Sequence, residues 1–358
     1  MKMFSAFGRF IKHKNFLFKD FDGLREFHSE IKRFEAKLGW LGGNATYALE
    51  VAFLRAAAAE KGKKLWEFIY DSFPVLDKKG KKKKPLMPMP VGNCIGGGMH
   101  SQPLDGKKPD FQEFLLIPKE KTFSRAVTSM VYTYQYAGRL LRANERRILM
   151  KRNDEGAWRT ALNNEQVLDI LEEAGKKFKV RIGVDFAAST FFDKGYYNYK
   201  NKDLIRDKKD QIEYIKKLIL NYNLFYLEDP VDEDDFVGFN EVLGYVRNIG
   251  KDTLVVGDDL TVTHSTRIRN AVKDLSINAV IIKPNQIGSL LEVSSIVQFC
   301  KDNKVKMIFS HRSGETMDDS LADFAVGFQS DFIKTGIHGP TRLIKLKRIM
   351  DIEKSLKE

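Results

Sequence analysis

Only two cysteines, Cys94 and Cys300, occur in 358 residues, and they form no Cys-x-x-Cys pair. That excludes a disulfide framework and a thiolate metal centre, and makes a reducing compartment the default reading. Long hydrophobic runs are missing as well. No stretch approaches the roughly 18 apolar residues that a membrane helix needs. The start, Met1-Lys2-Met3-Phe4-Ser5, has no apolar core leading to a small-residue cleavage site. The expectation is a soluble, cytoplasmic chain with no membrane partner.

Acidic residues are outnumbered, 48 Asp and Glu against 60 Lys and Arg, for a formal charge of +12. Such an excess suits nucleic acid, an anionic surface, or a small multiply charged anion drawn into a cleft. Nucleic acid is the weakest of these. The densest basic run, Lys78 to Lys84, has no interleaved aromatic residues, and no nucleic-acid module is visible around it.

What the chain does have is apolar sequence, 43% of it. That is ample for one barrel domain of about 250 residues with a smaller appendage. Spaced apolar positions from Gly23 to Glu35 and the alanine-rich stretch from Asn44 to Lys61 predict a helical N-terminal unit over residues 1–76. The charge run 77–85, closed by Pro85, reads as an exposed linker, and residues 86–358 as the main domain.

In that domain short apolar runs alternate with helical stretches, the pattern of βα units around a parallel sheet. The runs are Val180 to Val184, Leu224 to Leu227, Leu254 to Val256, Ala279 to Ile282, Met307 to Phe309 and Phe332 to Ile333. Helices are expected at Ile205 to Leu220, Leu290 to Cys300 and Ser320 to Phe328. Each run leads into a residue capable of chemistry: Asp185, Glu228, Asp258, Lys283, His311 and Lys334, spaced by 43, 30, 25, 28 and 23 residues. A β/α barrel gathers its strand ends at one mouth, so this placement brings the six side chains together.

Asp185, Glu228 and Asp258 would then aim three carboxylates into one space, which calls for a cation. Hard oxygen ligands without cysteine favour magnesium. Lys283 and Lys334 share the mouth with His311-Arg312-Ser313, and a lysine among cations loses its ammonium form readily enough to serve as a base. Proton abstraction beside a carboxylate needs that base, and a divalent ion to hold the charge that develops.

Four stretches carry a family likeness: Leu227-Glu228-Asp229-Pro230, Gly257-Asp258-Asp259-Leu260, Lys283-Pro284-Asn285-Gln286-Ile287-Gly288 and Ser310-His311-Arg312-Ser313-Gly314-Glu315-Thr316. In this order and spacing the chain resembles the enolases, the phosphoglycerate dehydratases of glycolysis, from about Leu41 onward. Sites of the enolase superfamily are a known general instance of a lysine or histidine base working with magnesium. The resemblance implies an α/β fold, an enolase-type β/α barrel with ββαα(βα)6 order, behind a small, mainly helical remnant of the N-terminal capping domain. Leu86 to Asn93 and Phe111 to Ile117 then read as its opening strands, and Phe123 to Met150 and Glu165 to Phe178 as the helices that follow.

The same resemblance implies roles. Asp185, Glu228 and Asp258 match the ligands of Mg2+. Lys283 matches the base, Glu155 the acid that helps hydroxide leave, and Glu113 its carboxylate partner. His100, after Gly96-Gly97-Gly98-Met99, falls on the substrate-side histidine, with Gln112 beside Glu113 on the substrate side as well. His311, Arg312 and Ser313 match groups around the substrate phosphate, and Lys334 the lysine facing the substrate carboxylate. A small anionic substrate like 2-phosphoglycerate follows, together with the homodimer common in the family.

The departures are local. Nothing in Met1 to Trp40 matches the family's three-stranded sheet or its lid loop. Ala157-Trp158-Arg159-Thr160 replaces the usual loop after Glu155-Gly156, Gly96 and Met99 replace an asparagine and a serine, and Ile337 to Arg342 is shortened. Four readings stay open: an enolase with a simplified lid, a paralogue acting on another 2-hydroxy or phosphorylated acid, a chain completed by a separately encoded capping domain, and a non-catalytic barrel scaffold with a basic binding patch.

Overall fold

A computed structural model describes residues 2–14, 16, 21–76, 79–145 and 151–357. Eight strands close into a barrel: Met89–Gly96, Glu113–Pro118, Val180–Asp185, Tyr226–Glu228, Leu254–Gly257, Ala279–Ile282, Lys306–Ser310 and Phe332–Lys334. The last pairs in parallel with the first, Val91 opposite Lys334, which completes the ring. Only the second strand runs against its neighbours. Two helices, Phe123–Asn144 and Asn164–Phe178, separate it from the third, and six βα units follow, so the ββαα(βα)6 order expected from the sequence is the order observed.

Alternation along each strand builds two apolar layers. Inward, Val91, Leu115, Tyr226, Val256, Ile281 and Ile308 fill the barrel. Outward, Val184, Leu227, Val255, Ile282 and Phe309 pack beneath the helices in a second cluster that continues into the N-terminal helices. Polar caps end the loops and start the helices: Asp207, Asp235 and Ser289 each accept an amide from the first turn. Asn163 and Gln166 form a reciprocal box ahead of Asn164–Phe178.

Several boundaries differ from expectation, each for a local reason. The first strand starts at Met89, not Leu86, and Leu86 donates its amide to the Gln329 side chain instead of to a neighbouring strand. The helix expected from Phe123 ends at Asn144, and the rest of that stretch, 146–150, lies outside the described residues. Ile205 to Asp207 is strand, part of a three-stranded meander with Phe192–Asp193 and Tyr196–Tyr199, and the helix begins at Lys208. Trp158–Arg159 adds a short strand beside Ile95 and Gly96.

The N-terminal helices Phe21–Leu38, Gly43–Glu60 and Leu65–Ser72 lie against the outer barrel helices. An unanticipated helix, Lys2–Ile11, adds Phe7 to their core. The buried Glu50 carboxylate bridges His28 at 2.6 Å and the amide of Leu290 at 2.6 Å, and the amide of Trp66 reaches Asp323 at 3.2 Å. Ile69 packs so closely on Gly327 that an added Cβ would lie 2.7 Å from it. No helix among the described residues is long and apolar enough to cross a membrane.

Candidate active site

Every side chain that the sequence singles out, Glu228 apart, lines one cavity of about 270 Å³: His100, Gln112, Glu113, Glu155, Asp185, Asp258, Lys283, His311, Arg312, Ser313 and Lys334. Glu228 is fully buried beneath them. The barrel register does the gathering. Glu113 pairs across the sheet with Asp185, Asp185 with Glu228, and Ser310 with Lys334.

Lys334 occupies the centre. Its ammonium lies 2.7 Å from Glu113, 3.2 Å from Asp185 and 2.8 Å from Glu228. Burial works against its charge, but these carboxylates outweigh burial and hold its pKa well above the ordinary value. Lys283 pairs with Asp258 at 2.5 Å, and there too burial opposes the ammonium while the carboxylate prevails, raising the pKa. In the absence of an ion, then, Lys283 is held charged. The sequence reading of a free amine did not anticipate this, because it gave the Asp258 carboxylate to a cation and not to the neighbouring lysine.

The acids feel the converse. Burial, and then the neighbouring carboxylates, push Glu228 well above its usual range, and burial does the same to Asp185 despite Lys334. Glu113, Asp185, Glu228 and Asp258 thus surround the two ammoniums of Lys283 and Lys334 with carboxyl oxygens. A hard cation fits such an all-oxygen set. The expected trio is spread over two overlapping groups, Asp185 with Glu228 and Asp229, and Asp229 with Asp258 and Asp259, each with oxygens within 4.8 Å of one another.

Asp229, to which sequence reasoning gave no role, is the hinge between those groups. Its carboxylate accepts amides from Asp258 at 3.1 Å, Asp259 at 2.7 Å and Leu260 at 3.3 Å. Its oxygens are thus spent on turning the fifth strand end, which aims Asp258 into the cavity. Tyr226 donates to Glu228 at 2.7 Å from below, and the Thr263 hydroxyl receives the Lys283 amide at 3.0 Å. The signal for Asp229 and Asp259 was in the two quoted motifs, where each follows a ligand candidate directly.

A second cluster faces the first. The Nδ1 of His100 lies 3.6 Å from Glu113 and 3.5 Å from Glu155, and Asn93 reaches Glu155 at 3.4 Å. Burial disfavours the imidazolium, but Glu113 and Glu155 outweigh it and raise the His100 pKa to about 10. Glu155 is depressed far below the usual carboxylate range, its burial overcome mainly by the adjacent His100. The proton of this cluster therefore rests on His100, where the resemblance made Glu155 the acid. Gly156 makes the turn that presents Glu155: its φ is +81°, and an added Cβ would lie 2.3 Å from the His338 carbonyl oxygen. The departing residue Trp158 stacks on Tyr134 with ring centres 5.1 Å apart, away from the cavity.

The loop His311 to Ser313 closes the third side. The His311 amide donates to the Lys334 carbonyl at 3.0 Å. Burial and the nearby Arg342 charge push its imidazole well below its usual value, so it is neutral. Arg342, itself buried, clamps the loop by donating to the carbonyls of Arg312 and Ser313, both at 3.0 Å. Arg312 and Ser313 side chains stay exposed at the mouth, free to meet an anion.

The family described as the enolase C-terminal TIM barrel domain matches residues 84–358. The enolase of Pyrobaculum aerophilum is 38% identical over 338 residues, which cover 92% of this chain and 76% of that protein. That of Thermoplasma acidophilum is 37% identical over 322 residues, 88% of this chain and 75% of the relative. That of Picrophilus torridus is 35% identical over 322 residues, with shares of 88% and 76%. With the closed barrel and its acidic mouth, these likenesses place the chain in the enolase family, as an enzyme of the lyase class.

Proposed function

We propose that this enzyme dehydrates 2-phosphoglycerate reversibly to phosphoenolpyruvate, with Mg2+ as its ion. The observation that carries the reading is the meeting, in one 270 Å³ cavity, of a lysine base candidate, an all-oxygen cradle and the cluster of His100 with Glu113 and Glu155. Asp185, Glu228 and Asp258 would hold the ion. When bound, it supplies the positive charge that stabilises the doubly charged carboxylate formed as the carbon-bound proton leaves.

The chain's own residues do the rest. The Lys283 amine takes the proton from the carbon beside the substrate carboxylate, and the electron pair left behind forms the carbon–carbon double bond. The hydroxyl on the next carbon departs and leaves as water with a proton from the cluster of His100, Glu113 and Glu155. Arg312 and Ser313 meet the phosphate, for which a planar guanidinium is well shaped. Lys334 meets the carboxylate, and Gln112 and His311 line the walls. Asp258 is the carboxylate whose contact keeps Lys283 charged, and without that contact burial would favour the free amine.

The test is the ultraviolet absorbance of phosphoenolpyruvate formed from 2-phosphoglycerate. It should appear with magnesium, vanish with a chelator, and be lost in Lys283→Ala. Turnover that is indifferent to magnesium, or intact in Lys283→Ala, would refute the reading.

A further inference from the structure

Beside the mouth lies a second cavity, of about 330 Å³, between the loop 98–110 and the segment 190–201. Thr190 borders both cavities, and residues 98–112 form a shared wall, with His100 and Gln112 on the catalytic side and Met99, Lys107 and Lys108 on the other. This second space takes no part in the chemistry above. Its size is that of a small-molecule site.

The lining is cationic and apolar at once. Lys107, Lys108 and Lys200 converge on it, and none of the three makes an ion pair with a carboxylate among the described residues. The single acid in the wall, Asp110, is engaged by the amides of Lys200 and Asn201 at 2.7 and 3.2 Å. Lys108 is fixed by its bonds to the carbonyls of Gly98 and Ser101, and burial together with the Lys200 charge outweighs Asp110 and lowers its pKa. Met99, 72% exposed, and Phe191 supply the apolar side.

The walls are held in place before any ligand arrives. Arg159 donates to the carbonyls of Gln102 at 2.9 Å and Pro103 at 3.1 Å. Asn201 donates to the carbonyls of Lys108, Ala161 and Leu162, and the Asn164 side chain accepts the amides of Asp110 and Phe111. A preformed pocket with unpaired cations and an apolar face selects for one kind of ligand.

We propose that this cavity is a second binding site, for a small organic anion whose phosphate- or sulfonate-like group meets Lys107, Lys108 and Lys200 while its apolar body lies on Met99 and Phe191. The probe is the fluorescent dye anilinonaphthalene sulfonate, titrated against the full chain. One dye should bind per chain, more weakly as salt rises. The double variant Lys107→Glu/Lys200→Glu should bind it at least about tenfold more weakly. A control with the same change of charge elsewhere, Lys121→Glu/Lys347→Glu, should bind it as the wild type does and should keep wild-type phosphoenolpyruvate formation.

Displacement of the dye by 2-phosphoglycerate would identify the site as the outer end of the substrate channel. Simultaneous binding would identify it as the site of a separate ligand. Either result upholds an anion site. Equal loss in the two double variants, which would trace binding to overall charge, or the absence of saturable one-to-one binding, would overturn it.

Discussion

Lys283 and Lys334 carry the same group into the same cavity, yet their surroundings separate their work. Lys283 has one carboxylate partner, Asp258, and Lys334 has three. Lys283→Ala should lower turnover by about a hundredfold to ten-thousandfold, the usual range for a positioned general base, and should cost less stability than the loss of Lys334, since it leaves one acid without its partner and not three. Lys334→Met, by contrast, leaves buried acids uncompensated and should cost about 3–5 kcal/mol in the ion-free protein. Denaturant unfolding with and without magnesium checks this, and an equal loss for both variants would contradict the separation.

His100 allows a pH prediction with a definite sign. Its pKa rises from 6.5 to about 10 on folding, so the native state binds that proton more tightly than the unfolded chain does. The stability it adds is complete below 6.5 and is lost as pH climbs through about 10. The stability gap between wild type and His100→Gln should therefore narrow as pH approaches 10, measured by denaturant midpoints. A gap that widens with pH would contradict the placement of the proton.

At the scale of elements, the loop ends depend on backbone contacts more than on side-chain identity. Arg342 holds two carbonyls of the 311–313 loop, so Arg342→Met should raise KM for a phosphorylated acid more than it lowers kcat, and cost about 1.5–3 kcal/mol of stability for its charged hydrogen bonds. Steady-state kinetics separate this from a catalytic role, in which kcat would fall first. Gly156→Ala should destabilise by at least about 1–3 kcal/mol, since a left-handed residue meets the His338 carbonyl there. Circular dichroism melts check it.

These elements also mark what the sequence revealed. Strand ends followed by ionisable residues repeat at βα spacing, and that periodicity pointed to Asp185, Glu228, Asp258, Lys283, His311 and Lys334; His100, Gln112, Glu113 and Glu155 came only from the family resemblance. Arg342 was hidden because it acts on carbonyls, which any sequence supplies. Asp229 was hidden because a carboxylate that accepts amides looks in sequence like one that holds an ion. The strand 204–207 was masked by the apolar spacing of the helix that follows it, and the start of the first strand by the apolar Leu86.

On the scale of the whole molecule, the N-terminal helices and the barrel share one apolar layer and a few buried polar ties. Glu50 is the most enclosed of these, between His28 and the first turn of Leu290–Asp302. Glu50→Ala strands the Leu290 amide and should cost about 1–3 kcal/mol. Hydrogen exchange should rise in both helix sets together if they unfold as one body; exchange confined to residues 21–60 would show the unit undocking alone.

Closure of the barrel, finally, is what brings an acidic cradle and a lysine to one cavity. The most direct test follows the proton itself, by nuclear magnetic resonance of 2-phosphoglycerate in heavy water with magnesium. Wild type and Glu155→Gln should both exchange the hydrogen beside the carboxylate for deuterium, the variant without completing dehydration, while Lys283→Ala should leave that hydrogen in place. Exchange at the wild-type rate in Lys283→Ala, or none in the wild type, would contradict the account.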